Sequence, residues 1–290
     1  MSSRGKRKSA MMTAEVMPGP SSAVEAAISG GEGDGPSSTK KSKLLKDEPS
    51  TSMTEEEIKK FMNNTFDIRR NFINFEDPTV AIIRETYPYL FKERQILAEF
   101  ERITEFDLDQ TLQQYCVKNS GPIIELAKHC PGTGALLKAA DKIKLEQPDL
   151  KQYWDMVTCI CLLPTLLREN LVDCIIEVAE DAQVDAKGKI VPVLISRGSV
   201  FKSDEFFLII EEEVVQEYEE FTIAFENLFA AYWVFNMEYP QTLQNTYTFI
   251  QKAILKMKDN IPIPAQCKQL MNRLKRSEAQ KKQRSRSKPE

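Results

Sequence analysis

A thiol beside an imidazole is the first pairing in this chain with the makings of chemistry: Cys130 follows His129, and Cys116 lies upstream. A cysteine nucleophile needs its base within hydrogen-bond reach, with a third group orienting that base. Adjacent side chains on a helix point about 100° apart, so His129 and Cys130 are badly placed for each other. The spacing favours a histidine at a helix end, beside the last carbonyls. It is also the one histidine among 290 residues, and the six cysteines form no CxxC pair. A zinc site would need Cys-only ligands at irregular spacing, so no metal is expected.

Phosphate chemistry fares no better. "PGTGALLK" has two glycines and a lysine but lacks the spacing of a phosphate-cradling loop, and reads as a loop opening a helix. "KGKI" (Lys187 to Ile190) has no strand before it and no helix after it. Acid pairs such as Asp107/Asp109 and Glu211/Glu213 invite an acid/base or two-metal reading. Such a site needs several carboxylates converging from a sheet, and the expected strands carry one glutamate run at a turn. The solvated-face reading is preferred, and neither catalysis nor a cofactor is expected.

Basic clusters carry more signal. Arg4, Lys6, Arg7 and Lys8 form one, Lys40, Lys41 and Lys43 a second, and Lys275, Arg276, Lys281, Lys282, Arg284 and Arg286 a third. Runs of this kind are import signals or nucleic-acid patches. No aromatic interleaves them, so nucleic-acid binding would be phosphate-driven, weak and salt-sensitive. "LKDE" also resembles a small-modifier attachment pattern, with Lys46 as the acceptor. Serines in "RSRSK" are sites where phosphate would oppose the tail's charge.

Charge is distributed unevenly. Residues 1–50 hold 8 Lys+Arg against 6 Asp+Glu, and residues 268–290 hold 9 against 2. Residues 51–267 hold 22 against 35, a net of −13. An acidic body with basic ends keeps any nucleic-acid attraction in the ends. The longest charge-free run near residue 230 is eleven residues, Asn227 to Met237, too short to cross a bilayer. The basic N-terminus lacks an apolar run, so no secretory signal is read, and the cysteines should be free thiols.

These residues need elements to hold them. Residues 1–53 are rich in Gly, Pro and Ser, poor in apolar residues, and read as a disordered leader. Thr54 with Glu57 forms a capping box that starts the folded part. Two short helices between Thr79 and Thr104 are split by "YPYLF", and a third carries Leu108, Leu112, Tyr115 and Cys116. "NSGP" and "CPGTG" punctuate the next segments, and a long helix carries Leu150, Trp154, Val157 and Cys161 until Pro164 interrupts it. "KIVPVLISR" and "EFFLIIEEEVVQEY" predict two or three antiparallel strands near 190–217, with Glu211 to Glu213 at the hairpin tip or on its wet face. "FTIAFENLFAAYWVFNMEYP" places Phe221, Phe225, Leu228, Phe229, Tyr232 and Phe235 at helical spacing with apolar residues all round. That predicts a central buried helix ending before Pro240. A partner helix carries Leu243, Tyr247, Ile250, Ile254 and Met257. A last one, opened by Pro264, turns Cys267, Leu270, Met271 and Leu274 inward.

The stretches "YPYLFKERQILAEFERIT", "LLPTLLREN" and above all "YWVFNMEYP" resemble a multi-copy animal family, abundant in fishes. Some of its members are labelled sterile alpha motif domain-containing protein 3-like. The resemblance covers roughly residues 80–275 and implies no catalytic residue. The family's copy number suggests an origin in a mobile element. No sterile alpha motif domain is read here, because residues 1–52 are too poor in apolar residues to form one.

The expectation is therefore a mostly helical α+β domain over 54–276, with a small antiparallel sheet and a buried C-terminal helix pair. A disordered basic tail, 277–290, comes after it. The expected function is a non-catalytic nuclear interaction or scaffold protein whose acidic domain docks a protein partner, without membrane or metal; the alternative compartment is the cytoplasm. The second reading is weak, sequence-independent nucleic-acid association through the basic C-terminal tail.

Overall fold

Thr54 caps the first helix as its spacing with Glu57 predicts. Its hydroxyl accepts from the Glu57 amide, and the Glu57 carboxylate accepts from the Thr54 amide at 2.9 Å. Those bonds also hold the Glu57 carboxyl below its usual range. The computed structural model describes residues 53–286. The expected leader, with Arg4, Lys6, Arg7, Lys8, Lys40, Lys41, Lys43 and Lys46, lies outside the described residues apart from its last position.

Helix α1 (Glu55–Asn64) passes through the single residue Thr65 into α2 (Phe66–Phe75). Helices α3 (Val80–Thr86) and α4 (Gln95–Thr104) come next, with a 3-10 turn at Pro88–Phe91 between them where the split was expected. Helix α5 (Leu108–Ala127) packs along α7 (Lys151–Leu166), and α6 (Gly134–Glu146) packs on α7.

Two expected breaks do not break. "NSGP" lies inside α5, with Pro122 buried within the helix. The residue before a proline is normally driven out of helical geometry by a clash at its own Cβ. Gly121 has no Cβ, and the nearby Asn119 side-chain amide donates to Tyr115 O at 2.9 Å. Pro164 likewise sits in the final turn of α7, its carbonyl accepting from Leu167 and Glu169 amides.

The sheet has four strands in the order β1 (Ile175–Val178), β2 (Val193–Arg197), β3 (Phe206–Ile210), β4 (Glu213–Tyr218). The expected antiparallel set is β2, β3 and β4; β1 was not expected and pairs parallel to β2, which makes the sheet mixed. A parallel partner arrives by a crossover, so no turn signal announces a four-residue strand. Every residue of β3 is buried, because the sheet is covered on both faces. Phe206, Leu208 and Ile210 join the main core with α8 (Phe221–Val234). Val193, Ile195, Phe207 and Ile209 form a second small core under Val184 and Ala186. That explains the unbroken apolar runs in these strands.

The β3–β4 turn places Glu211 and Glu212 at φ 51° and 64°, a two-residue geometry that usually selects Asn and Gly. Each glutamate is pinned from outside. The Glu211 amide donates to Ile190 O and its carboxylate accepts from the Val80 amide at 2.7 Å. The Glu212 amide donates to Lys189 O, and its carboxylate accepts from the Gly188 amide at 2.7 Å. At Gly198, φ is +86° and an added Cβ would meet Glu180 Cγ at 3.2 Å. Gly198→Ala should lower unfolding stability by about 1–2 kcal/mol in urea titration.

Helix α8 is buried nearly throughout, with Phe225, Leu228, Phe229 and Tyr232 at 1% exposure or less. It ends at the left-handed Asn236, ahead of Pro240. Helix α9 (Gln244–Phe249) runs on into a π-helical stretch, Ile250–Ile254, and with α8 makes the expected buried pair. The Glu169 carboxylate accepts from the Asn245 and Thr246 amides and satisfies the first turn of α9. Helix α10 (Ala265–Arg286) buries Cys267, Leu270 and Leu274, and its helical backbone continues through residues assigned to the basic tail.

Candidate functional site

The residues that sequence reasoning weighed for chemistry are dispersed. His129 is 77% exposed and lies 4.0 Å from Glu125, while the Cys130 thiol donates to Leu126 O. Cys116 instead lies against Cys159, two buried thiols on facing helices, and the hydrogen bond with Cys116, together with burial, pushes the Cys159 thiol well up. All six cysteines are free, and burial pushes Cys267 up to about 12, so the Cys159 and Cys267 thiols stay protonated at neutral pH. Asp107 caps α5 by accepting from the Gln110 amide at 2.9 Å, and Asp109 accepts from Gln113. Glu211 is engaged in the hairpin turn. "PGTGALLK" opens α6 as expected, held by the Thr133 hydroxyl on Ala127 O and Cys130 O. "KGKI" forms the turn that receives Glu212. Among the described residues no three His, Cys, Asp or Glu gather in a way that could hold a metal ion. None of the helices described is long and apolar enough to cross a membrane.

Of the basic residues named from sequence, Lys275 and Arg276 are exposed on α10. Lys281, Lys282, Arg284 and Arg286 have their backbone in the same helix, but their side chains lie outside the described residues.

The organised polar chemistry is elsewhere, on the inner side of α2. Arg69 and Glu99 are both fully buried and form a bidentate pair, Nε to Oε1 at 2.9 Å and Nη2 to Oε2 at 2.6 Å. The remaining Arg69 donors reach Thr65 Oγ1 and Met62 O, and the guanidinium lies 5.8 Å from the Tyr87 ring. Arg102 adds a contact to Glu99 at 3.3 Å and donates to Asn63 Oδ1 at 2.7 Å. One ionic group thus ties α1, α2 and α4 together. Next to it, Arg70 donates to Val234 O at 2.6 Å and Trp233 O at 3.3 Å, a cation on the last carbonyls of α8. Burial lowers the Arg70 guanidinium to about 10, with the Glu99 charge opposing that fall. Helix α2 is clamped from within at two neighbouring residues.

Its outer side is different. Ile68 is 66% exposed and Phe75 68% exposed, and seven residues bring them onto one face two turns apart. Asn71 lies between them, and Asp67 and Glu76 flank the stripe, all exposed. Large apolar side chains this open, held on a rigid helix, form a surface that can receive another apolar side chain.

A second buried acid belongs to α8. Glu226, on α8, is 1% exposed, and its Oε1 meets no hydrogen-bond donor among the described residues. Burial raises its carboxyl to about 8, with smaller contributions from Asp109, Asp107 and Glu220. Neither Arg69 nor Glu226 stood out by motif spacing. The available signal was a charge on an apolar stripe: Met62, Arg69 and Ile73 share one side of the α1–α2 run, and Glu226 is the lone charge between Phe221 and Phe235.

Comparison with known proteins bears on the same segment. A family model described as sterile alpha motif domain-containing protein 3, helical domain, matches residues 38–92, which take in α1, α2 and α3. It reaches well ahead of residue 80, where the resemblance had been expected to start. The human protein named sterile alpha motif domain-containing protein 3 is 25% identical over 202 residues. That alignment covers 69% of this chain and 38% of the human protein. No solved structure matches the chain. On the family-model match and the human relative together, this chain resembles the sterile alpha motif domain-containing protein 3-like family.

Proposed function

We propose that this protein is a non-catalytic interaction module that docks a basic, amphipathic segment of a protein partner on the outer face of α2. The observation that carries the reading is the pairing of Ile68 and Phe75 on one exposed stripe, with Asp67 and Glu76 beside it. The apolar pair supplies the contact area and the acids select a positively charged partner. The net charge of −13 over residues 51–267 steers such a partner toward the body. The compartment proposed is the nucleus, with the basic clusters as import addresses, and the repeated family points to a mobile-element ancestry.

The test is Ile68→Asp/Phe75→Asp in the full chain, compared with wild type by quantitative proximity labelling in cells. Both positions are exposed, so unfolding stability should stay within about 0.5 kcal/mol of wild type. A defined set of neighbours should disappear from the variant. An unchanged set would sink the α2 face as the docking surface.

One observation favours the second reading, nucleic-acid association. Helix α10 continues as one rod to Arg286, and Lys275 and Arg276 are exposed on it. Labelled duplex DNA and single-stranded RNA, titrated across a salt series, should bind with a slope that flattens when Lys281, Lys282, Arg284 and Arg286 become Glu. Absence of wild-type binding at physiological salt removes this reading and leaves the clusters as addresses.

A further inference from the structure

We propose that the outward face of α10 binds the phosphate backbone of double-stranded nucleic acid through Lys268, Arg273, Lys275 and Arg276. This rests on the nucleic-acid reading above, but it moves the contact from the end of the chain onto the folded helix and names a duplex as the ligand. Helix α10 packs against α5 and α9 and buries Cys267, Leu270 and Leu274. Lys268 and Lys275 are seven residues apart, so they share one side of the helix about 10 Å from each other, with Arg276 next to them. Arg273 lies at the margin of that side, and all four residues are exposed.

Two properties separate this face from an ordinary solvated one. No Asp or Glu occurs from Asn260 to Ser277, and none of the four cations forms an ion pair with another described residue. Exposed cations such as Lys128 and Lys142 are instead held by Glu125 and Glu146. Residues 51–267 carry a net charge of −13, so the body repels a polyanion and α10 is where it meets cations.

The composition of the face also selects among polyanions. No aromatic follows Phe249, so unstacked bases find no ring to lie on. The exposed positions from Lys268 to Arg276 hold no apolar side chain, so the helix has nothing to insert into a lipid surface. What is left is charge, together with the Gln269 and Asn272 amides, which also bond phosphate oxygens. Contacts made to phosphate alone favour the ligand with the denser backbone charge, the duplex, and read no sequence.

The test titrates the full-length chain into labelled duplex DNA, single-stranded RNA and phosphatidylserine vesicles across a salt series. The duplex should bind best. Lys268→Gln/Arg273→Gln/Lys275→Gln/Arg276→Gln should weaken it by about tenfold or more and flatten the slope of log K against log salt by about 3. The urea midpoint of this variant should match wild type, since the four side chains are exposed. A loss confined to Lys281→Gln/Lys282→Gln/Arg284→Gln/Arg286→Gln overturns the α10 face and leaves the tail as the contact. Single-stranded RNA bound as tightly as the duplex overturns the choice of ligand. Vesicles bound without duplex overturn it in favour of a lipid surface. No binding to any of the three overturns both this proposal and the nucleic-acid reading beneath it.

Discussion

Glu99→Ala should lower the unfolding free energy by about 3–5 kcal/mol, the largest loss expected from any polar substitution in this protein. The change leaves the Arg69 guanidinium fully buried, with only Thr65 Oγ1 and Met62 O as acceptors. It also removes the carboxylate that Arg102 shares. An uncompensated cation is costly in an apolar interior, whereas loss of both charges is not. Arg69→Met/Glu99→Leu should therefore lie within about 1.5 kcal/mol of wild type in urea unfolding. If the single variant loses under about 1 kcal/mol, the pair is not what fixes α2 to α4. If the double variant remains as damaged as the single, the hydrogen bonds matter more than the buried charge.

The second large effect is a fall in stability as pH rises, centred on Glu226. Its carboxyl is raised to about 8 in the folded protein, against an ordinary value near 4.5 in the unfolded chain. Between those values the folded state holds a proton that the unfolded state releases. The contribution is therefore complete below about pH 4.5 and is lost as pH climbs toward 8. The slope approaches about 1.4 kcal/mol per pH unit within that window. Asp107, Asp109 and Glu220 face the group, and their negative charge adds to the cost of ionising it. Glu226→Gln keeps the shape without the titration. Its unfolding free energy should stay level from about pH 5.5 to 8.5, while that of wild type falls by about 3 kcal/mol over the same range. Parallel curves for the two proteins would show that Glu226 is already ionised in the fold.

How far the fold could be read in advance depended on whether its determinants were local. Thr54 and Glu57 are three residues apart, and their capping box was legible from two letters. The aromatic spacing from Phe221 to Phe235 was legible as a buried helix because the contacts around it are overwhelmingly apolar. Gly121 and Pro122 misled, since the pattern that marks a loop elsewhere here removes the clash that would have made one. Strand β1 is four residues long and finds its partner through a crossover, so neither length nor turn chemistry betrays it. The candidate site was the least legible part. Arg69 meets Glu99 across thirty residues, and Arg70 meets Val234 across 164. Ile68 and Phe75 matter because nothing described packs over them, a property that spacing alone does not carry.

Arg70 on the end of α8 and Glu211 on the start of α3 also set a timetable for synthesis. The chain emerges from the ribosome N-terminus first, at about 5–20 residues per second. Helix α2 is complete roughly 160 residues before the carbonyls of Trp233 and Val234 that Arg70 requires. For roughly 8–30 s the apolar sides of α2, α3 and α4 wait without the helix and hairpin that will cover them. Nascent chains should therefore need shielding early, and slowing elongation past residue 100 should raise aggregation more than slowing it past residue 240.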